Sequence, residues 1–406
     1  MKLLDRSSAM LTKKPNQSLF RRILFWTHLG VGIATGIVVF VLALTGALLT
    51  YEAQIKAAYE PSVAPSVDKA EMLSTDELVA IARPVFSGRT TTLDIYKDST
   101  KPVAVKAGRH DYKLLDPYTG QFIATETNPS EGFFEFVEDL HRSLAGGRNS
   151  VGADIAKAAN LAFLFLILSG IYLWMPKRWK GYFLKQRILF TKMPTAKARD
   201  FNWHHVFAFW MLIPLIAVVG TGVIISYGWA NKLVFETAGL DVPMGRGKGG
   251  GMWAKSSGSG VSNKPVEELV SFQAIYEKAR LVRDDWNSLS IIVPGNEKAK
   301  SVDVLIDRGN GKQVALQQQI TYSRETGDVI KEQGPDQLAT PTQTLKRYIR
   351  FLHSGEVYGI IGQTLAGLAS VASLFLVWTG LALAWRRLIS PLFVKRAKPN
   401  RTLLHN

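Results

Sequence analysis

His28-Leu-Gly-Val-Gly-Ile-Ala-Thr-Gly-Ile-Val-Val-Phe-Val-Leu-Ala-Leu-Thr-Gly-Ala-Leu-Leu-Thr-Tyr51 is an apolar stretch with one histidine at its start and Thr45-Gly46 seventeen residues on. About 20 such residues, wound as a helix, cross a hydrocarbon core of roughly 30 Å. The same frame returns later: His204 opens a second apolar stretch, and Thr221-Gly222 follows at the same distance. One turn beyond each histidine stands a small residue, Gly32 in the first case and Ala208 in the second. The pattern predicts a tandem duplication of a membrane unit built around an intramembrane histidine.

Four runs reach spanning length, at 23–51, 158–175, 201–229 and 360–385. The first is too long for the 7–15-residue core of a cleaved signal peptide, and no A-x-A-type site follows it. The net charge of +16 has a location: segments 1–22, 176–200 and 386–406 hold 20 Lys/Arg against two Asp. The rest of the chain holds 29 basic and 31 acidic residues. A positive excess confined to segments flanking membrane helices on one side is the positive-inside pattern, not a nucleic-acid footprint. It places both termini in the cytoplasm and two large segments on the other side. With no cysteine, disulfides, thiolate ligands, iron–sulfur clusters and c-type haem attachment are excluded, which leaves histidine as the main transition-metal ligand.

The expected layout is a cytoplasmic basic arm (1–21), helix one (22–51), a first outer module (52–150), helix two (151–176) and a cytoplasmic basic loop (177–200). Helix three (201–229), a second outer module (230–355), helix four (356–386) and a cytoplasmic tail (387–406) complete it. Trp26, Trp174, Trp203 and Trp385 mark the interfaces. In the first module Ser74 and Glu77 form a capping box for a helix reaching Phe86. Strands at 91–96 and 103–106 follow, then a hairpin over 112–123 whose turn is Asp116-Pro117-Tyr118-Thr119-Gly120. The second module repeats the plan with a helix over about 266–282 and strands at 288–293, 301–306 and 314–322. Its glycine-rich stretch 245–260 contains G-x-G-x-x-G (Gly245, Gly247, Gly250) without the strand–turn–helix context of a dinucleotide site, and it reads as a loop. Each module ends in an amphipathic stretch carrying Leu-His, at 133–141 and 345–353. Helix two contains Ser169-Gly170 and helix four Thr379-Gly380, small residues that let backbones approach closely.

Of seven histidines, His28 and His204 lie near the cytoplasmic ends of helices one and three, while His141 and His353 precede helices two and four at the outer face. Ionisable residues in membrane helices face the bundle interior or a polar path. Imidazole suits iron, and helix bundles hold cofactors between facing helices. One haem on His28 and His204 and a second on His141 and His353 fit this placement. Zinc fits less well, because two histidines per face leave a tetrahedral site unfinished; Glu138 and Asp139 beside His141 keep it open. His205 points about 100° away from His204 around the helix and reads as interfacial, with ligation in place of His204 as the alternative.

Asp-Leu-His-Arg-Ser-Leu (139–144), Leu-Ser-Gly-Ile-Tyr-Leu-Trp-Met-Pro-Lys-Arg (168–178), Asn-Trp-His-His-Val-Phe-Ala-Phe-Trp (202–210) and Leu-Leu-Asp-Pro-Tyr-Thr-Gly-Gln-Phe (114–122) together resemble the PepSY-associated transmembrane-helix family. The resemblance covers roughly residues 20–390 and looks closest to the iron-regulated FoxB/PiuB type, inner-membrane dihaem proteins linked to ferric siderophore reduction. It implies an integral membrane α-helical protein with four transmembrane helices in two tandem repeats and two periplasmic α+β PepSY-like modules. It also implies two b-type haems with His28, His204, His141 and His353 as axial ligands. Ala208, where the family has glycine, and Asn202-Trp203, where a Leu-His start is common, depart from the pattern without removing a ligand.

The expected activity is transmembrane electron transfer from the cytoplasmic side or the quinol pool to a ferric siderophore docked between the modules. The chain offers no flavin or nicotinamide site, so the donor is a separate reductase or a quinol. Two alternatives stand beside this: a periplasmic peptide- or protein-binding sensor without redox activity, and quinol-linked transfer to another periplasmic acceptor.

Overall fold

The computed structural model of the chain describes residues 19–59, 61–64, 71–86, 89–107, 111–123, 129–147, 149–176, 181–242 and 269–393, except 310, 312, 336 and 339. The glycine-rich stretch 245–260, residues 1–18 of the basic arm, His110, His405 and the tail beyond 393 lie outside them. In chain order the helices are α1 (Leu19–Leu49), α2 (Glu52–Ala58), α3 (Thr75–Val85), α4 (Pro129–Ser143), α5 (Val151–Trp174), α6 (Gly181–Ile188) and α7 (Ala196–Trp210). They continue as α8 (Leu212–Ser226), α9 (Gly228–Thr237), α10 (Phe272–Val282), α11 (Pro341–Ser354), α12 (Gly359–Leu388) and α13 (Ser390–Phe393). The described chain forms two compact units, one of residues up to Gly46, His141–Val219 and Leu368 onward, the other of Ala47–Leu140 and Gly220–Gly367.

Among the described residues three helices are long and apolar enough to cross a membrane: Leu19–Leu49, Val151–Trp174 and Glu356–Leu388, the last counted with a preceding 3-10 turn. The fourth expected span is broken. α7 and α8 meet at 71° around Met211. Pro214 lacks the N–H that would bond the Trp210 carbonyl one turn back, so a straight helix cannot continue there. The single helix expected over 201–229 is therefore corrected to two, and the first starts earlier, at Thr195, whose hydroxyl accepts from Ala198 N at 3.2 Å.

The loop expected over 177–200 is corrected as well, since it contains α6 and the first turn of α7. Asn202 fastens it. Fully buried, its Nδ2 donates to the carbonyls of Gln186 (2.6 Å) and Leu189 (2.9 Å), and its Oδ1 accepts from Thr191 N (3.2 Å). Asp200, 1% exposed, accepts from Arg199 Nη2 at 3.0 Å and from Arg386.

In the second unit the strands are β1 (Thr91–Tyr96), β2 (Val103–Lys106), β3 (Tyr112–Leu115), β4 (Ser288–Val293), β5 (Ser301–Asp307), β6 (Gln317–Ser323) and β7 (Val329–Gln333). They form one antiparallel sheet in the order β3-β2-β1-β4-β5-β6-β7. The expectation of two separate α+β modules is thus corrected. β1 pairs with β4 along its whole length, from Thr91↔Val293 to Tyr96↔Ser288. Either half alone would leave β1 or β4 as an unpaired edge; joining them satisfies both rows of backbone groups.

Element order is the same outward from the seam, with one helix per half. Leu93, Ile95, Leu289 and Ile291 point to one face, where Leu78 and Ala82 of α3 and Ile275 and Ala279 of α10 complete a common core. Each buried Leu or Ile side chain contributes about 1.5–3 kcal/mol relative to exposure. The two helices cap each other. Asp76 accepts from Phe272 N (2.8 Å) and Gln273 N (3.0 Å), and Gln273 Oε1 accepts from Thr75 N (2.7 Å). The capping box of Ser74 and Glu77 forms as expected. The hairpin over 112–123 is shorter than expected, with Phe122 making only an isolated bridge to Leu115.

α11 is anchored to the sheet by a buried polar chain. Arg347 Nη2 donates to Gln317 Oε1 (3.1 Å), and Gln317 Nε2 donates to Asp307 Oδ2 (2.7 Å). Burial pushes the Arg347 guanidinium below its usual value, and the Asp307 charge opposes that. Gly355 ends α11 in the left-handed region (φ +77°), and a Cβ there would stand 2.2 Å from the Gly362 carbonyl oxygen. A close approach also follows α4, where a Cβ at Gly152 would stand 2.3 Å from the Ser143 oxygen.

Candidate cofactor site

All four predicted histidines make one kind of contact. His28 Nδ1 lies 2.8 Å from Ser169 Oγ, and His204 Nδ1 lies 2.9 Å from Thr379 Oγ1. His141 Nδ1 is 2.9 Å from Thr45 Oγ1, and His353 Nδ1 is 3.2 Å from Thr221 Oγ1. Every hydroxyl belongs to a Ser/Thr-Gly pair: Ser169-Gly170, Thr379-Gly380, Thr45-Gly46 and Thr221-Gly222.

The elements that carry these groups follow from the sequence. His28 sits one-third of the way along apolar α1, and Ser169 near the end of α5. His204 lies in α7, before the break at Met211, and Thr379 lies in α12. His28 is within electrostatic range of His204. His141 ends α4 in the first unit together with Thr45. His353 ends α11 in the second unit together with Thr221 of α8.

Three of the glycines lie against the histidine rings. A Cβ at Gly46, Gly170 or Gly380 would stand 3.4, 3.7 or 3.5 Å from the Cε1 atom of His141, His28 or His204 respectively. That is ordinary contact for a methyl, and anything larger would push on the ring. In the sequence, Thr45-Gly46 and Thr221-Gly222 stand out only as a repeated frame and Ser169-Gly170 and Thr379-Gly380 only as helix-packing residues; which histidine each hydroxyl meets is set by the fold.

His205 differs. Its Nδ1 contacts the Phe201 carbonyl of its own helix at 2.8 Å, and its ring lies 4.0 Å from that of Phe201. His204, not His205, takes the hydroxyl contact shared by the other three.

The donor chemistry fits haem. Among the described residues no three His, Cys, Asp or Glu side chains gather as a metal site, and Glu138 and Asp139 are exposed on α4. Imidazoles without clustered carboxylates or thiolates suit a metal whose other donors come from a porphyrin. An imidazole whose Nδ1 is taken by a hydroxyl keeps Nε2 for that metal.

The family described as PepSY-associated TM region matches residues 25–387. The chain belongs to this family. Its span includes all four histidines and their hydroxyl partners, and with the apolar helices it makes the chain a multi-pass membrane protein. Comparison with curated proteins returns no match.

Proposed function

We propose that this PepSY-associated membrane protein is a dihaem electron-transfer protein of the FoxB/PiuB type. It takes electrons from the cytoplasmic side or the quinol pool and reduces a ferric siderophore at the periplasmic face of the bacterial inner membrane. The observation that carries the reading is the histidine–hydroxyl contact, made through Nδ1 in all four cases. His28 and His204 hold one b-type haem, and His141 and His353 the other. Bound haem supplies one-electron chemistry, and one electron converts Fe(III) to Fe(II), which hard oxygen chelators hold less well.

The chain's own residues orient and insulate. The hydroxyls fix the rings, the glycines keep their edges clear, and the apolar helices exclude water. A separate reductase or a quinol provides the electrons. The equal element order on both sides of the β1–β4 seam, with the recurring histidine frame, supports a tandem duplication, and the charge distribution supports cytoplasmic termini with a periplasmic sheet.

Reduced protein in membranes, mixed in stopped flow with ferric siderophores, is expected to be reoxidised with formation of Fe(II). Failure with every chelate, alongside reoxidation by another periplasmic acceptor, would move the reading to the quinol-linked alternative. A second reading draws on β7, an edge strand with Val329 and Ile330 exposed. Such an edge can add a peptide strand, as a non-redox sensor would require. Full function in protein without haem would select it.

A further inference from the structure

The hydroxyls at the four histidines do more than fill space. Each carries one proton, and at Ser169, Thr379 and Thr45 the helix carbonyls take it. Ser169 Oγ donates to the Phe165 carbonyl at 2.7 Å, Thr379 Oγ1 to Phe375 at 2.6 Å and Thr45 Oγ1 to Val41 at 2.7 Å. These are full-strength O–H···O distances to groups that can only accept. With its proton committed to the helix, each oxygen can meet an imidazole only as an acceptor. The ring nitrogen must then be the donor, so Nδ1 carries the hydrogen and Nε2 carries the lone pair.

We propose that Ser169, Thr379 and Thr45 are positioning residues that lock His28, His204 and His141 in the Nδ1–H tautomer, the form able to ligate iron through Nε2. Thr221 contacts His353 Nδ1 in the same way. The inference rests on the reading of these histidines as ligands, and it adds how the chain prepares them before any haem arrives. A neutral imidazole otherwise chooses between two tautomers, one of which blocks the ligating nitrogen. The helix settles the choice through its own carbonyl, one turn before the hydroxyl. The glycine that follows belongs to the same device. It lets Cε1, the atom between the two ring nitrogens, lie against the helix while Nδ1 reaches the hydroxyl.

Outer partners of this kind also raise ligand basicity, and their loss costs about 10–100-fold in metal affinity. Thr379→Val preserves shape and removes the acceptor; Thr379→Ser preserves the acceptor. Ser169→Ala tests the facing site independently should Thr379→Val fold poorly.

The experiment uses full-length protein with 15N-labelled histidine in two preparations. From haem-deprived cells, 15N NMR reads which ring nitrogen bears hydrogen. From haem-replete cells, absorption and redox titration read retention and midpoint potential. Wild-type His28, His141 and His204 are expected as Nδ1–H. Thr379→Val is expected to shift His204 toward Nε2–H, weaken haem retention by about 10–100-fold and raise the midpoint potential. Thr379→Ser is expected to restore all three. Wild-type rings already in the Nε2–H form would overturn the proposal. So would Thr379→Val with unchanged tautomer and retention. Nδ1–H rings in a protein that takes up no haem would overturn the haem reading and leave the hydroxyl assignment standing.

Discussion

Gly355→Ala and Gly147→Ala separate backbone strain from collision. Both glycines are left-handed, at φ +77° and +82°, and placing an L side chain in that region costs about 1–2 kcal/mol. At Gly147 nothing lies within 4 Å of the new Cβ, so the conformational cost stands alone. At Gly355 the Cβ would sit 2.2 Å from Gly362 O, 2.5 Å from Gly362 C and 2.8 Å from Gln363 N. Ordinary contact begins at 3.4 Å, so the first turn of α12 would have to move by more than 1 Å, and backbone cannot yield as a flexible side chain does. Overpacking adds about 1–3 kcal/mol, giving about 2–5 kcal/mol for Gly355→Ala against about 1–2 kcal/mol for Gly147→Ala. His353 lies two residues before Gly355, so the same displacement would loosen its bond to Thr221. Unfolding of detergent-solubilised protein followed by tryptophan fluorescence measures the first effect, and haem content the second. Equal destabilisation by the two substitutions would refute the reasoning.

Two other predictions concern the sheet unit. Asp307→Ala removes the carboxylate whose charge favours the buried Arg347 guanidinium and takes an acceptor from Gln317 Nε2, and is expected to destabilise by about 1–3 kcal/mol. The double replacement Asp307→Leu with Arg347→Met should cost less in the same unfolding assay, since it removes both charges. The Arg308 hydrogen bond holds the Asp285 carboxyl below its usual 3.8. Its contribution is therefore present above pH 3.8 and lost as pH falls through the lowered value, so Asp285→Asn should be less stable than the parent at neutral pH and equal to it in strong acid. A constant difference down to low pH would contradict that.

Much of this architecture is written in local patterns. The apolar length of 28–51, the Ser74–Glu77 capping box and the alternation of 91–96 each depend on neighbouring residues, and each appears as expected. The β1–β4 seam does not, because it joins strands nearly two hundred residues apart and either strand alone reads as a plausible edge. Pro214 announced the break in the third span, but its mean hydropathy concealed it. At the site, the histidines were legible from their repeated frame. Their hydroxyl partners were not: Ser169 is 141 residues from His28, and its contact depends on helices packing face to face. The anchoring roles of Asp200, Asn202, Asp307 and Arg347 are not local either, since burial turns an ordinary polar residue into an anchor only after the chain has folded.

The most direct test is a dithionite-reduced-minus-oxidised spectrum of the purified full-length protein with haem quantified per chain. The account predicts b-type bands and two haems, with His28→Ala and His353→Ala each losing one while sparing the other. Protein isolated from haem-replete cells without a Soret band, or unaffected by either substitution, would contradict it.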